Sequence, residues 1–159
     1  MTKKKVTIRL AERGDLDQLV QMWVDLMNLT AEVNTRYRLR AGADELQRAV
    51  FLDLLKRNDS FVIVAVAGPK LIGFVNGYFA YPSKVFAQST IGVIENLFVV
   101  EPWRRHGIGR ELVNRSVAWL KHFGAMELHV NVVPKNIVSL KFWRAMEFDV
   151  HRVAMVKEP

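Results

Sequence analysis

The chain's 159 residues fit one domain, and a composition that is half hydrophobic and a quarter charged excludes a disordered or collagen-like protein. Cysteine is absent, which excludes disulfides, thiolate nucleophiles and Cys-ligated zinc or iron–sulfur sites together. The net charge of +7 suits an anionic partner, while the lack of any apolar run near the ~18–20 residues of a membrane span points to a soluble, cytoplasmic protein.

The start, Met1-Thr2-Lys3-Lys4-Lys5, is basic, but Val6 to Leu10 alternates as a half-buried strand does, and Arg9 interrupts any signal-peptide core. From Asp15 to Met27, the residues Leu16, Leu19, Val20, Trp23 and Met27 recur at helical spacing. A basic loop follows from Asn34 to Gly42, then a second amphipathic helix carrying Leu46, Val50, Phe51, Leu54 and Leu55. Phe61 to Ala67 and Leu71 to Phe79 are apolar runs broken by Gly68-Pro69, which predicts an antiparallel hairpin. Residues 80–90 read as a loop, Ile91 to Val100 as a strand ended by Pro102, and Gly107 to about His122 as a helix. Met126 to Val133 is a strand closed by Pro134, Asn136 to Met146 a short helix, and Phe148 to Val156 one or two terminal strands. The order β-α-α-β-β-β-α-β-α-β(β) predicts an α/β (mixed α+β) fold, a mixed sheet with helices on its faces. No repeat, linker or low-complexity segment divides residues 1–159, so they read as a single domain.

The chemistry concentrates where the strand at Ile94–Val100 turns into the helix at Gly107. That turn holds Arg104, Arg105, His106, Gly107, Ile108, Gly109 and Arg110, the tightest basic cluster in the chain. The first N–H groups of a helix lack internal partners and carry partial positive charge, and glycine lets a backbone approach a ligand closely. The segment therefore reads as an anion cradle for phosphate or pyrophosphate, with arginines adding charge-assisted bonds. The plainer reading is a tight turn beside a solvated basic face. A P-loop and a G-x-G-x-x-G fingerprint are both absent.

The spacing Arg104-x-x-Gly107-x-Gly109 after a strand, with Val99-x-x-Pro102 before it, resembles the pyrophosphate-binding hallmark of the GNAT superfamily of N-acetyltransferases. Asn136-x-x-Ser139-x-x-Phe142-Trp143-x-x-x-Glu147-Phe148 is similar to that family's later helix motif, and the element order agrees. The resemblance implies a GNAT-like fold with a mostly antiparallel twisted sheet of six to seven strands and about four helices. It also implies acetyl-CoA as cosubstrate, an amine acceptor, no metal, and a homodimer. Two positions depart from the motif: Trp143 stands for a Tyr that often protonates the departing thiolate, and Glu147 for a turn glycine.

By the same resemblance Leu97, Phe98 and Val99 offer main-chain groups to the pantetheine arm, Asn136 bonds the cofactor or caps its own helix, and Trp143 packs beside the thioester. Glu95, a charge on an apolar strand, is the candidate general base, with a structural ion pair as the plainer reading. A lysine-like amine of pKa ~10.4 costs about 4.6 kcal/mol to deprotonate at neutral pH, so a base is worth having. Tyr37, Arg38, Tyr78 and Tyr81 are the candidate acceptor side; Arg36, Arg38 and Arg40 there favour an acceptor bearing carboxylate or phosphate. The general acid has no assigned residue. His106, His122, His129 and His151 show no metal-ligand spacing. Against the N-acetyltransferase stand two alternatives: a non-catalytic acyl-CoA sensor on the same fold, and a basic nucleic-acid binder, for which the chain shows no aromatic–basic interleaving.

Overall fold

Residues 60–67 and 70–80 form an apolar hairpin at the centre of the sheet, and the remaining elements are laid against it. The computed structural model describes residues 5–87 and 90–158; the basic residues 1–4 lie outside these, as do residues 88 and 89 of the predicted 80–90 loop. Five strands lie side by side in chain order: β1 (Val6–Leu10), β2 (Ser60–Ala67), β3 (Lys70–Ala80), β4 (Ile91–Val99) and β5 (Glu127–Val130). β1 to β4 pair antiparallel, and β5 joins β4 in parallel. The helices are α1 (Leu16–Val33), α2 (Ala43–Leu54), α3 (Ile108–His122) and α4 (Ile137–Ala145).

β2 explains the layering. Phe61, Ile63, Ala65 and Ala67 pack into one core with Ile108, Leu112, Val113, Leu120 and Trp143, so α3 and α4 cover that face. Val62 and Val64 pack with Leu16, Leu19, Phe51 and Leu54, so α1 and α2 cover the other. A strand buried on both sides has to be apolar throughout, which is why the run in β2 is continuous rather than alternating. α1 is fixed at its start by Asp15, whose Oδ2 accepts from the Glu12 N–H at 2.8 Å. Arg9 forks onto the same carboxylate at 2.7 and 3.0 Å and holds it below its usual range.

The structure departs from the predicted elements in three places. α1 runs on to Val33, six residues past Met27. β5 stops at Val130, three residues before the predicted end, because its parallel ladder on β4 ends at Ile94. The sheet has five strands rather than six or seven, since residues 148–158 form no strand among the described residues. Val150, Val153, Met155 and Val156 are 60–93% exposed: β propensity makes no ladder without an edge to join. That segment is held by Phe148 against Trp143, by the His151 ring 5.4 Å from His129, and by Glu158, which takes Arg36 at 2.9 Å.

Glu147 departs from the motif in residue but not in backbone shape. It does what the motif's glycine does: its φ is +67°, and the Phe148 N–H reaches back over the helix end to Trp143 O at 3.0 Å. A side chain in that conformation costs about 1–2 kcal/mol. Glu147→Gly is expected to raise stability by about 1 kcal/mol, read as a higher urea midpoint at an unchanged slope.

Candidate active site

β3 and β4 fall out of step at one point. Asn76 pairs with Asn96 and Gly77 with Ile94, so Glu95 is an extra residue on β4, a β-bulge. Ile94 consequently packs in the same core as Leu97 and Val99, at odd spacings that a regular strand does not allow. Glu95 is left exposed as the one charged residue of β4. Its Oε2 accepts from Asn76 Nδ2 at 2.9 Å, and Asn76 Oδ1 accepts from Asn96 Nδ2 at 3.1 Å. Asn76 is fully buried. Tyr78, two residues along β3 and so on the Asn76 face, has its phenol pushed above its usual range. Burial is the main cause and the Glu95 charge the next, with Arg57 pulling the other way. The phenol therefore stays protonated at neutral pH. Sequence reading found Glu95 and Tyr78 but missed Asn76, although an amide inside the apolar run Leu71 to Phe79 is a visible signal.

After β4 the chain makes a 3-10 turn (Glu101–Trp103) and then two left-handed residues, Arg105 at φ +64° and Gly107 at φ +81°. The Glu111 N–H is the first to close α3, onto Gly107 O at 3.0 Å. None of the N–H groups of residues 105–110 donates to a backbone acceptor among the described residues. A run of unpaired donors at a helix N-terminus beside exposed Arg105 and Arg110 fits a diphosphate. Gly107 is needed for its φ; a Cβ there would meet nothing within 4 Å. At Gly109 a Cβ would meet the Phe142 ring at 3.6 Å, an ordinary contact. Ile108 is buried and anchors the same turn. Arg104 is drawn back to the strand, its Nε donating to Val99 O at 2.8 Å and its guanidinium 5.5 Å from the Phe98 ring centre. His106 Nδ1–H donates to Arg104 O at 2.7 Å, which fixes its tautomer, since a carbonyl can only accept.

Between these two places the sheet opens. β4 keeps its β5 ladder only from Ile91 to Ile94, so Leu97, Phe98 and Val99 have β3 on one side and no strand on the other among the described residues. Their side chains pack with the two cores, Phe98 buried and Leu97 and Val99 half-buried. Asn136 caps α4, its Oδ1 accepting from the Ser139 N–H at 3.0 Å. Trp143 is buried in the α3-side core, edge-on to Phe142 and Phe148 at 5.3 and 5.2 Å.

Of the expected acceptor-side residues, Tyr78 alone is tied to Glu95 among the described residues. Tyr37 and Arg38 sit exposed at the 3-10 turn that follows α1 (Thr35–Tyr37), and Tyr81 is 69% exposed beyond β3. No group of three His, Cys, Asp or Glu side chains able to hold a metal occurs among the described residues; His129 pairs instead with Glu127 at 3.0 Å. No described helix is long and apolar enough to cross a membrane.

Residues 23–148 match the family model for the acetyltransferase (GNAT) family. A protein named aminoglycoside N(6')-acetyltransferase type 1, from Acinetobacter genomosp. 13, is 26% identical over 144 residues, 89% of this chain and 93% of that one. An uncharacterized N-acetyltransferase from Archaeoglobus fulgidus is 29% identical over 116 residues, 70% of this chain and 71% of that one. Among solved structures, aminoglycoside N-acetyltransferase AAC(6')-Iy in complex with CoA superimposes with a TM-score of 0.77 at 18% identity, over 97% of this chain and 95% of that chain. At such identity the likeness is one of fold.

Proposed function

This chain belongs to the GNAT acetyltransferase family, and from that premise we propose that it moves the acetyl group of acetyl-CoA to a primary amine by direct attack in a ternary complex. The observation that carries the reading is the run of unpaired N–H groups at residues 105–110, lying at the end of a strand whose outer edge is open. Acetyl-CoA, when bound, supplies an activated thioester carbonyl. The residues of the turn hold its diphosphate, and main-chain groups of Leu97 to Val99 orient the arm along the gap. Glu95 takes the proton that the amine must lose, directly or through one water.

Relatives named for aminoglycoside acetylation support an amino sugar as the first acceptor to test. Exposed Arg38 and Arg40 support an amine that also carries a carboxylate or phosphate. The protein acts as one domain over residues 1–159, in the cytoplasm and as a homodimer. A non-catalytic acyl-CoA sensor is the second reading, favoured by Trp143 at the position of the motif's Tyr.

Calorimetry with coenzyme A and thiol release across an amine panel test the proposal. Binding at submillimolar ligand is expected, and absence of binding rejects the cofactor assignment. Binding without thiol release for any amine favours the sensor. Gly107→Val puts a β-branched residue at φ +81°, so coenzyme A affinity is expected to fall about tenfold as the turn relaxes. Unchanged affinity contradicts the cradle.

A further inference from the structure

We propose that Asn76 is a positioning residue for acetyl transfer: its buried amide, braced by Asn96, holds Glu95 by Oε2 and leaves Oε1 as the oxygen that takes the acceptor's proton. The inference rests on the reading of Glu95 as the base. Four polar side chains are buried among the described residues. Asp15 answers Arg9, while Ser60 and Ser116 return their hydroxyls to the carbonyls of Leu54 and Val113. Asn76 differs in that both ends of its amide go to side chains of β4, one of them the exposed carboxylate. An apolar side chain would fill that spot without the desolvation cost of an amide, so folding alone does not call for asparagine.

The direction of the amide follows from chemistry. A carboxylate only accepts, so Asn76 has to turn its NH2 to Glu95 and its carbonyl to Asn96, whose own NH2 meets it. The chain Asn96 to Asn76 to Glu95 is thus oriented from end to end. It also sits on the bulge, the place where a strand re-aims a side chain. Glu95 Oε1 has no partner among the described residues. Tyr78 is the titratable group that faces Glu95 from β3, with Arg57 beyond it, and the ion pairs of the described residues all lie elsewhere.

The test is Asn76→Leu, which removes the donor at similar volume, followed by carboxyl NMR of the Glu-labelled protein without ligand and by kcat/KM against pH with the amine of fastest thiol release. The Glu95 signal is identified by its loss in Glu95→Gln. Loss of the hydrogen bond donated to the charged carboxylate is expected to move the Glu95 titration midpoint up by about half a pH unit or more. The acid limb of kcat/KM should move with it, and KM for acetyl-CoA should stay as it was. A folded Asn76→Leu protein with an unmoved midpoint overturns the positioning role and leaves the base reading standing. A moved midpoint in a protein whose Glu95→Gln form keeps full activity overturns both. Where Asn76→Leu does not fold, Asn76→Ala serves: it removes the same donor with less bulk, so an upward shift supports the proposal and an unmoved midpoint overturns it.

Discussion

Glu95→Gln is expected to lower kcat at neutral pH by about 10²–10³-fold, with coenzyme A affinity and thermal midpoint unchanged. The expected loss follows from what the substitution keeps. Gln has the same shape, its carbonyl still accepts from Asn76, and the position is exposed, so neither the bulge nor the core is disturbed. What is lost is the ability to receive a proton, and an ordinary amine is about 3.4 pH units too basic to attack without giving one up. The pH–rate profile should lose its acid limb at the same time. Full turnover with an unchanged profile, measured with a good acceptor, would show that Glu95 serves some other purpose. The phenol of Tyr78 is held protonated beside it, so Tyr78 cannot stand in as the base at neutral pH.

The second large effect is on stability. A Cβ added at Gly77 would run into Val93 O and come within 2.6 Å of the Phe61 ring, and neither a strand carbonyl nor a buried aromatic can withdraw. Gly77→Ala is therefore expected to cost about 3 kcal/mol or more, lowering the thermal midpoint by about 6–12 °C. The neighbouring case sets the scale. At Gly92 the Cβ meets only Leu120 side-chain atoms at 2.8–3.1 Å, which can rotate aside, so Gly92→Ala should cost clearly less in the same melt. Equal losses at the two positions would mean that the β3–β4 pairing yields more readily than its register implies. Gly77 follows the bulge directly, so any surviving Gly77→Ala protein should also be slow in acetyl transfer.

The central layers of this fold were legible because burial on two faces forces continuous apolar runs, and those at Phe61–Ala67 and Leu71–Phe79 stand out plainly. The turn after β4 was legible for a different reason: two glycines and clustered arginines in seven residues behind a strand constrain one turn locally. The bulge was not, because its cause is shared between two strands. Only the mismatch of Ile94 with Leu97 and Val99 betrays it, and one strand read alone gives no reason to prefer that parity. Asn76 was missed with it, since the value of an amide in a strand depends on what sits opposite. The terminal residues erred the other way. Their alternation is strand-like, yet a ladder needs a partner edge, which no local pattern supplies. Glu147 shows tertiary context overriding preference, for the turn takes a left-handed residue whether or not glycine is there.

The early end of β5 has a consequence for the lifetime of the folded chain. Peptide groups on the far edge of β4 go without a strand partner beyond Ile94 among the described residues, so a guest that bonded that edge would bind the native state and not the denatured coil. Occupancy and folding are then thermodynamically linked. A cell well stocked with the thioester would keep this protein longer than a starved one, and the abundance of the catalyst would track the supply of its own fuel.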